Sequence, residues 1–591
     1  MIARRIVTIL LFVLFILILE LNKNSVWGFI LTAVLTVAFF VLFESGILRE
    51  KTPLKVVSWL AFFAVFAGIL FLTWPPVKRV PAVTYKDPVE TEVLTLKDGK
   101  VSGVVTEDGK VEIFAGIPYA APPVGDLRWR EPQDAVPWEG VLKADTFAPM
   151  AMQPTNLPIY DSLAQIIGYH DYKWFDFSDN YTAAVDEDAL YVNVWRPAGG
   201  GSGLPVLVFI HGGSLQTGQP WYADYSGRSL AADGVIVVNM GYRLGVFGYL
   251  ALDGLASESA VGTTGNYGLL DQIKALEWVR DNISAFGGDP DNVTLAGESA
   301  GAASVSAICA SPLAKGLFRR AVLESSTVVS KEPPHSFRSF DEALESGTAV
   351  LEKYGVSTAE ELRALPANKL VSSAETEHHI TVDGYALEEM PYKVYEAGDQ
   401  NEEAILHGFN AKESGPFIIF SGASMKNYED KIRSYFKEYT DEIISLYPAS
   451  NDDEAAEMWA EIYGAVFFDY PHYCLERLEN STGIPTYQYY FSKDNGRLGC
   501  WHSGEMIYLY GNIPDDSSLY DDADRALSAE MKEYFINFIR TGDPNGEGLP
   551  EWKSDVDPAS YMEFGDNTGE IREKDRKIGL FSILDRMNEN Q

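Results

Sequence analysis

The clearest indication of the fold of this chain is the stretch Val293-Thr-Leu-Ala-Gly-Glu-Ser-Ala-Gly-Ala-Ala-Ser304. Its first four residues predict a short buried strand, and the small residues from Ala300 onward predict a helix. Between them, Gly297-Glu-Ser-Ala-Gly301 matches Gly-x-Ser-x-Gly. Such a strand-to-helix turn, a nucleophile elbow, holds its serine in a strained conformation and needs flanking glycines because Cβ atoms would clash there. Ser299 is therefore the predicted nucleophile, and the alternative is a glycine-rich turn with an idle serine.

Short apolar runs around the elbow predict a buried, mostly parallel β-sheet. The predicted strands are residues 205–210, 235–238, 293–296, 321–323, 404–406 and 487–491. Residues 269–286 and 300–310 carry apolar side chains at helical spacing and should cover the sheet. No repeat or long Pro/Ser linker interrupts the chain after residue 86, so we predict a single α/β domain over residues 86–591.

Donors for an oxyanion should lie beside the elbow, because a serine nucleophile needs them as well as a base and an orienting carboxylate. His211-Gly-Gly213 follows the predicted strand 205–210 directly. We predict the backbone N–H groups of Gly212, Gly213 and Ala300 as the oxyanion donors. Glycine suits the first two positions since the backbone must approach the substrate closely, and an ordinary tight turn is the alternative.

The base is limited by the chain order of serine, acid and histidine that folds with this elbow share. The histidines that follow Ser299 are His335, His378, His379, His407, His472 and His502. His502 lies just after the predicted strand 487–491, where a strand-end loop would present it over the sheet. It is the predicted base, with a pKa expected near the unperturbed value of about 6.5, and His472 is the second choice. Glu413 follows the predicted strand that includes residues 404–406 and lies between the serine and the histidine in chain order, and this strand-end position singles it out from the many other carboxylates as the candidate acid.

Several longer motifs together resemble the type-B carboxylesterase/lipase family, the cholinesterase-like and para-nitrobenzyl-esterase-like branch of the α/β-hydrolase fold. The resemblance covers about residues 90–580 and rests on five stretches: Phe114-Ala-Gly-Ile-Pro-Tyr-Ala-Ala-Pro-Pro-Val-Gly125, Glu187-Asp-Ala-Leu-Tyr-Val-Asn-Val194, Asn266-Tyr-Gly-Leu-Leu-Asp-Gln272, Asn282-Ile-Ser-Ala-Phe-Gly-Gly-Asp-Pro290 and Arg540-Thr-Gly-Asp-Pro-Asn-Gly546. It implies an α/β-hydrolase fold with a mostly parallel central sheet flanked by helices.

The resemblance also implies a reaction and a set of residues for it. The reaction is hydrolysis of a small-molecule carboxylic ester through an acyl-enzyme intermediate, with no cofactor and no metal. The implied residues are the nucleophile Ser299, the acid Glu413, the base His502 and the oxyanion donors Gly212, Gly213 and Ala300. Two other functions share this fold: an inactive adhesion or interaction module that has lost the nucleophile, and a thioesterase or peptidase that uses the same triad.

Some residues depart from the family's pattern. The usual Glu-Asp-Cys-Leu reads Glu187-Asp-Ala-Leu190, so the disulfide that this cysteine forms in many secreted animal members is absent. Cys309 is expected to be buried in the helix after the elbow, and a bridge between Cys474 and Cys500 is not expected. The sequence diverges over residues 150–186 and has no tryptophan at the spacing of a choline site, so choline esters are not implied.

Three apolar runs precede the α/β domain, at residues 6–19, 26–43 and 56–74. A bilayer core takes about 20 helical residues, so the second and third runs are long enough to span it. The first run is shorter, and Arg4 and Arg5 would have to snorkel. No small-x-small cleavage site follows it, which argues against a signal peptide. We predict a membrane segment of three transmembrane helices over residues 1–76 and a linker over residues 77–85.

Basic residues around these runs predict the orientation of the chain in the membrane. One side holds Arg4, Arg5, Arg49, Lys51 and Lys55, and the other holds Lys23, Lys78 and Arg79. This bias favours a cytoplasmic N-terminus, so three spans would place residues 86–591 outside the cytoplasm. We predict a multi-pass cell-membrane protein that contacts the lipid bilayer through its N-terminal helices. Its low cysteine content suits a bacterial host better than an animal secretory pathway.

Net charge excludes one class of partner. The chain holds 47 basic and 84 acidic side chains, a formal charge of -37. Such an excess of carboxylates repels phosphate backbones, so nucleic acid is not expected as a partner.

Overall fold

The computed structural model describes residues 2–45, 52–178, 180–371, 378–419, 421–494, 499–554 and 556–589. It divides into two compact units. The first consists of Met1–Val80, Thr155–Ala184 and Asp516–Leu519, and the second of Pro81–Pro154, Val185–Asp515 and Tyr520–Gln591. The predicted division at residues 76–86 into membrane segment, linker and catalytic domain stays a prediction. The structure adds that residues 155–184 group with the N-terminal helices.

An eleven-stranded sheet runs through the described part of the second unit. Its strands are β1 (Val104–Val105), β2 (Val111–Pro118), β3 (Tyr191–Pro197), β4 (Leu204–Ile210), β5 (Ile236–Met240), β6 (Gly288–Glu298), β7 (Arg320–Glu324), β8 (Ile405–Asn410), β9 (Thr486–Phe491), β10 (Ser560–Phe564) and β11 (Thr568–Arg572), in the spatial order β11-β10-β9-β8-β7-β6-β4-β5-β3-β2-β1. The pairings from β5 to β10 are parallel. The predicted mostly parallel sheet is therefore present.

Both ends of the sheet are antiparallel, which the sequence did not predict. Strands β1 to β3 and β5 pair antiparallel at one end, as do β10 and β11 at the other. The central strands are buried on both faces, which explains why they read as unbroken apolar runs. An antiparallel end strand such as β11 has no buried residue and so gives little hydrophobic signal.

Helices of the second unit cover the sheet. They are α5 (Arg228–Ala232), α6 (Gly245–Tyr249), α7 (Asp253–Glu258), α8 (Tyr267–Asn282), α9 (Ala300–Cys309), α10 (Phe340–Tyr354), α11 (Ala359–Arg363), α12 (Ala367–Leu370), α13 (Pro391–Ala397), α14 (Gly415–Ile418), α15 (Tyr428–Phe436), α16 (Thr440–Leu446), α17 (Asp452–Gly464), α18 (Tyr470–Thr482), α19 (Met506–Leu509), α20 (Asp522–Thr541) and α21 (Asp575–Glu589), after α1 to α4 of the first unit. The predicted helix over residues 269–286 corresponds to α8 and the 3-10 turn Ile283–Phe286.

Helix α9 sits at the centre of the core, directly behind the elbow. All ten of its residues are buried. A Cβ atom on Gly301 would lie 2.1 Å from the carbonyl oxygen of Ile210, at the end of β4. The first turns of α9 therefore consist of small residues, because the backbone of the helix lies too close to the sheet to leave room for larger side chains.

Three helices form the first part of the other unit: α1 (Ile2–Leu21), α2 (Val26–Glu44) and α3 (Thr52–Leu72). They enclose an aromatic core of stacked rings. The ring centroids of Phe15 and Phe66 are 3.6 Å apart, and those of Phe39 and Phe62 are 4.3 Å apart. In the described residues, Val26–Glu44 and Pro53–Leu72 are long and apolar enough to cross a membrane. The predicted apolar runs are therefore helices, and two of them have the dimensions of spans. Arg49 and Lys51 lie outside the described residues.

The divergent residues 155–184 belong to the same unit. They form helix α4 (Pro158–Ala164), a π-helical turn over Gln165–Tyr169, and the short strand Thr182–Ala183, which pairs in parallel with Val77–Lys78. The remaining short strands of the chain are Leu94–Thr95, Lys100–Ser102, Val141–Lys143, Met150–Ala151 and Val185–Asp186, all in the second unit.

Candidate active site

Ser299 lies at a strained turn between β6 and α9. Its backbone angles are φ 55° and ψ −128°, and its N–H group donates a hydrogen bond of 2.8 Å to the carbonyl oxygen of Glu324. A Cβ atom at Gly297 would lie 2.5 Å from the carbonyl carbon of Gly301. The close approach across the turn thus accounts for the glycines on both sides of Ser299. The strain is of the kind that protein folds keep at functional sites.

The structure brings the three predicted side chains together. His502 Nε2 lies 2.9 Å from Ser299 Oγ, and His502 Nδ1 lies 2.6 Å from Glu413 Oε2. Glu413 Oε1 in turn accepts a hydrogen bond of 2.8 Å from the N–H group of Asn410. When His502 Nδ1–H donates to Glu413, its Nε2 is left as an acceptor for the Ser299 hydroxyl.

Parallel strands explain this convergence. Glu413 follows β8 and His502 follows β9, and these neighbouring strands end at the same edge of the sheet as β6, which precedes Ser299. Loops at the carboxyl ends of parallel strands are where such sheets carry their sites.

Carboxylates surround His502 and change its pKa. Burial by itself disfavours the imidazolium, but Glu413, Glu298 and Glu505 outweigh this and raise the pKa of His502 to about 9. Glu298 Oε1 lies 3.4 Å from His502 Nε2 and accepts a hydrogen bond from the Ser503 hydroxyl. The expectation of an unperturbed value was wrong, because two of these carboxylates are not adjacent to His502 in sequence.

Two of these carboxyl groups also have shifted pKa values. Burial raises the pKa of Glu298 above its usual value, and the nearby charge of His502 offsets only part of this rise. Burial, with the added charges of Glu413 and Glu298, raises the pKa of Glu505 to about 8. The site therefore places the His502 imidazole among carboxyl groups, two of which, Glu298 and Glu505, have pKa values raised by burial.

The predicted oxyanion donors lie beside the serine. A Cβ atom on Gly212 would come within 2.8 Å of Ser299 Cβ, and Gly213 has φ +105°, a left-handed conformation that favours glycine. The carbonyl oxygen of His211 accepts a hydrogen bond of 2.8 Å from the Tyr242 hydroxyl, and this bond holds the start of the loop in place. Among the described residues, the N–H groups of Gly212 and Gly213 have no acceptor. Ala300 is the first residue of α9, where an N–H group has no intrahelical partner.

Two aromatic rings contact the base His502. Neither of them was predicted from the sequence. The Phe417 ring lies 5.0 Å from the His502 ring in an edge-to-face arrangement, and the Phe468 ring lies 4.9 Å from it. Phe417 belongs to α14, just after Glu413, and its side chain is 39% exposed. No motif surrounds either residue, although Gly415, whose Cβ would overlap the Trp501 ring, marks the close packing of this loop.

Other candidates lie elsewhere. His472, the second choice of base, is fully buried with its Nδ1 3.0 Å from Nδ1 of His407, whose Nε2 lies 2.9 Å from Glu476. Cys309 is buried as expected, and Cys474 and Cys500 are buried and unbridged. In the part of the chain that the structure describes, no three His, Cys, Asp or Glu side chains are grouped so that they could hold a metal ion.

Comparison with known proteins identifies the family that this chain resembles. Residues 90–579 match the model of a family described as the carboxylesterase family. The chain is 30% identical to a fumonisin B1 esterase of Sphingopyxis macrogoltabida, over 88% of this chain and 95% of that protein. It is 31% identical to carboxylesterase 1C of Rattus norvegicus, over 87% of this chain and 96% of the relative. Carboxylesterase 5A of Felis catus is also 31% identical, over 81% of this chain and 90% of that protein.

Proposed function

We propose that this chain, which belongs to the carboxylesterase family and is a carboxylic ester hydrolase with the α/β-hydrolase fold, works through a Ser-His-Glu triad on a membrane anchor. One observation carries the triad: a continuous chain of hydrogen-bond distances from Ser299 Oγ through His502 to Glu413. Ser299 joins the end of β6 directly to the start of α9, and its Oγ lies 2.9 Å from His502 Nε2.

Acylation begins with attack of Ser299 Oγ on the acyl carbon of the ester, while His502 Nε2 takes the hydroxyl proton. Glu413 holds the imidazole ring in place and stabilises the imidazolium that forms. The carbonyl oxygen becomes an oxyanion that accepts hydrogen bonds from the N–H groups of Gly212, Gly213 and Ala300. The tetrahedral intermediate then expels the alkoxide, which receives the proton from His502 and leaves as the alcohol.

Deacylation repeats these steps with water as the nucleophile. His502 Nε2 takes a proton from the water, the hydroxide attacks the acyl carbon, and the same backbone donors stabilise the second oxyanion. The intermediate expels Ser299 Oγ, which regains its proton from His502. The carboxylic acid is released and the starting state is restored, so the cycle needs no external oxidant, reductant or cofactor.

The first prediction tests the nucleophile. Ser299→Ala removes Oγ and should lower kcat for an aryl ester by roughly four to six orders of magnitude, because the covalent route is lost. Initial rates with aryl esters of graded acyl length measure this loss and also rank the acyl groups. Ser445→Ala changes an exposed serine of α16 and should keep the parent rate.

Two outcomes would count against this function. If folded Ser299→Ala kept most of the parent activity, another nucleophile would have to act. If the parent protein hydrolysed no ester, and no phosphonate label appeared on Ser299 after treatment with an alkyl fluorophosphonate, the interaction-module alternative would gain. Higher rates on thioesters or peptides than on oxygen esters would favour a thioesterase or peptidase that uses the same triad.

Membrane anchoring by three helices is also part of the proposal. Helix α1 has 20 residues and is about 30 Å long, close to the thickness of a bilayer core. Arg5 and Glu44 form an ion pair of 2.7 Å, which joins the start of α1 to the end of α2. At the other end, the Asn24 side chain donates a hydrogen bond of 2.8 Å to the carbonyl oxygen of Leu70.

These contacts support an up-down-up arrangement of the three helices. The residues before α1 then lie at one end of the helices, and the residues after α3 at the opposite end. Three crossings would deliver the ester hydrolase to the extracytoplasmic side if the basic residues of the N-terminal end stay in the cytoplasm.

A further inference from the structure

The segment Thr155–Ala184 has an unusual surface. Its exposed large apolar side chains are Leu157, Tyr160, Leu163, Ile166, Ile167, Trp174, Phe175 and Phe177. These eight residues fall within a stretch of thirty, whereas the described part of the whole second unit exposes ten. Scattered apolar residues on a surface need no explanation, but such a concentration marks a surface that meets something apolar.

Polar contacts fix this segment to the turn between α1 and α2. Glu20, the only acidic residue of α1, is buried and accepts a hydrogen bond of 2.6 Å from the N–H group of Phe175. The side-chain amide of Asn180 donates a hydrogen bond of 2.9 Å to the carbonyl oxygen of Asn24. The segment is therefore held at the end of the helices where α1 stops and α2 starts.

Aromatic contacts extend from the segment along α2. The Phe29 ring packs edge-to-face on the rings of Phe175 at 6.1 Å and Phe177 at 5.2 Å. Phe29 is the fourth residue of α2, about 4.5 Å along the helix from its start. Phe175 and Phe177 thus contact α2 within about one helical turn of its start.

Helix α4 shows its apolar side to the surroundings. It packs against α1, yet Tyr160, Leu163 and Ile167, at spacings of three and four along the helix and its π-helical extension, are exposed. Pro158 and Ser162 are the buried residues of this helix. A helix of a soluble surface would be expected to have the opposite arrangement.

Charged residues of the segment have partners within the unit. Lys173 Nζ lies 3.2 Å from an Asp516 carboxylate oxygen, and the Ser518 hydroxyl donates a hydrogen bond of 2.8 Å to Asp171. Lys173 and Asp171 are thus paired within the unit, while the large apolar side chains of the segment are left exposed. This is the arrangement expected of a surface that faces lipid.

We propose that Thr155–Ala184 is an interfacial membrane element, which inserts its exposed apolar side chains into the bilayer leaflet at the α1–α2 turn. The proposal rests on the proposed membrane anchoring. Lipid is the occupant because the exposed surface continues onto the exposed side chains of α2, including Trp27 and Val37. Trp174 and Tyr160 also have the amphipathic rings that concentrate at membrane interfaces.

The test is a depth measurement on the full-length protein. The three native cysteines are buried, so Ile167→Cys supplies an accessible thiol for a nitroxide label. The labelled protein is reconstituted in vesicles of phosphatidylethanolamine and phosphatidylglycerol, and collision rates with oxygen and with a water-soluble nickel chelate are compared. Val37→Cys on α2 and Val136→Cys in the second unit serve as the lipid and water references, since both side chains are exposed. Retained ester hydrolysis shows that each variant is folded.

We expect the oxygen-to-nickel collision ratio at residue 167 to exceed that at residue 136 several-fold and to approach that at residue 37. A ratio at residue 167 equal to that at 136, with residue 37 in lipid, would overturn this proposal and leave the anchoring intact. Low accessibility to both reagents with dipolar broadening between labels would mean that a second copy covers the surface, and would overturn it too. A water-like ratio at residue 37 would remove the anchoring itself and, with it, this inference.

Discussion

At the scale of single residues, the three carboxyl groups around His502 set the pH at which the base can work. His502 must be neutral to accept the Ser299 proton, and its raised pKa means that the neutral form gains population only as the pH rises toward about 9. We therefore expect kcat/KM to increase with pH through an acid limb that lies above the unperturbed value of about 6.5.

Glu298 contributes to this shift and can be changed without altering the triad. In Glu298→Gln the nearby negative charge is lost while an oxygen remains to accept the Ser503 hydroxyl. The imidazolium is then less stabilised, so the pKa of His502 should fall and the acid limb of kcat/KM should move to lower pH. Profiles of kcat/KM against pH for the two proteins measure the difference.

The matched control is Glu438→Gln, which removes a charge at an exposed position. It should leave the profile unchanged. An unmoved acid limb in Glu298→Gln, with activity retained, would show that Glu298 does not act on His502. A limb that moves in both variants would assign the shift to overall charge.

At the scale of elements, the elbow depends on the contact between α9 and β4. In Gly301→Ala the added methyl group would lie 2.1 Å from the Ile210 carbonyl oxygen, so the helix must move. Crowding of this kind typically lowers the free energy of unfolding by about 1–3 kcal/mol. Ester hydrolysis should also fall, because displacement of α9 moves Ala300 and Ser299 relative to His502. Thermal unfolding and initial rates measure the two effects.

Gly254→Ala is the control for that prediction. Gly254 lies in α7 with an ordinary backbone conformation, and a Cβ atom there would meet only Ala359 Cβ at 3.7 Å. Stability should be unchanged or slightly higher, because alanine favours a helix over glycine. Equal melting temperatures for the two variants would contradict the steric explanation of the elbow.

A buried ion pair links the loop after β5 to helix α8. Arg243 Nε and Nη2 each lie 2.7 Å from an oxygen of Asp271, and both side chains are buried. Arg243→Met would leave the Asp271 carboxylate without its cation and should cost about 3–5 kcal/mol in the free energy of unfolding. The double change Arg243→Met with Asp271→Leu should recover most of this loss. Denaturant unfolding measures the free energy of unfolding of both variants. If the double variant were no more stable than Arg243→Met, the loss could not be explained by an unpaired charge on Asp271.

For the molecule as a whole, the proposed arrangement of three spans predicts on which side of the membrane the hydrolase lies. Protease added to intact spheroplasts should digest the catalytic domain, and a membrane-impermeant ester should be hydrolysed without lysis. A cytoplasmic enzyme in the same sample should survive, which shows that the membranes are sealed. Protection of the catalytic domain until lysis would mean that only two helices cross, or that the orientation is reversed.

The elbow and the parallel core could be predicted from the amino-acid sequence because both depend on local features. The steric needs of Ser299 and its glycines are met within five residues, and the β6-turn-α9 unit is contiguous in the chain. His502 and Glu413 could be selected because each follows a strand of apolar residues, and parallel strands end at one edge. Even so, strand-end position alone left the choice of Glu413 open, and the structure places its Oε2 atom 2.6 Å from His502 Nδ1.

The electrostatics of the base and the composition of the two units depend on contacts between segments that are far apart in the chain. The pKa of His502 depends on the charge of Glu298, which lies 3.4 Å from His502 Nε2, and on the charge of the buried Glu505, and neither burial nor the approach of Glu298 can be derived from spacing along the chain. The antiparallel ends of the sheet and the docking of residues 155–184 on α1 and α2 likewise join segments far apart in sequence. Hydrophobic patterning reports which residues prefer burial, whereas the choice of partner follows from the packing of the complete chain.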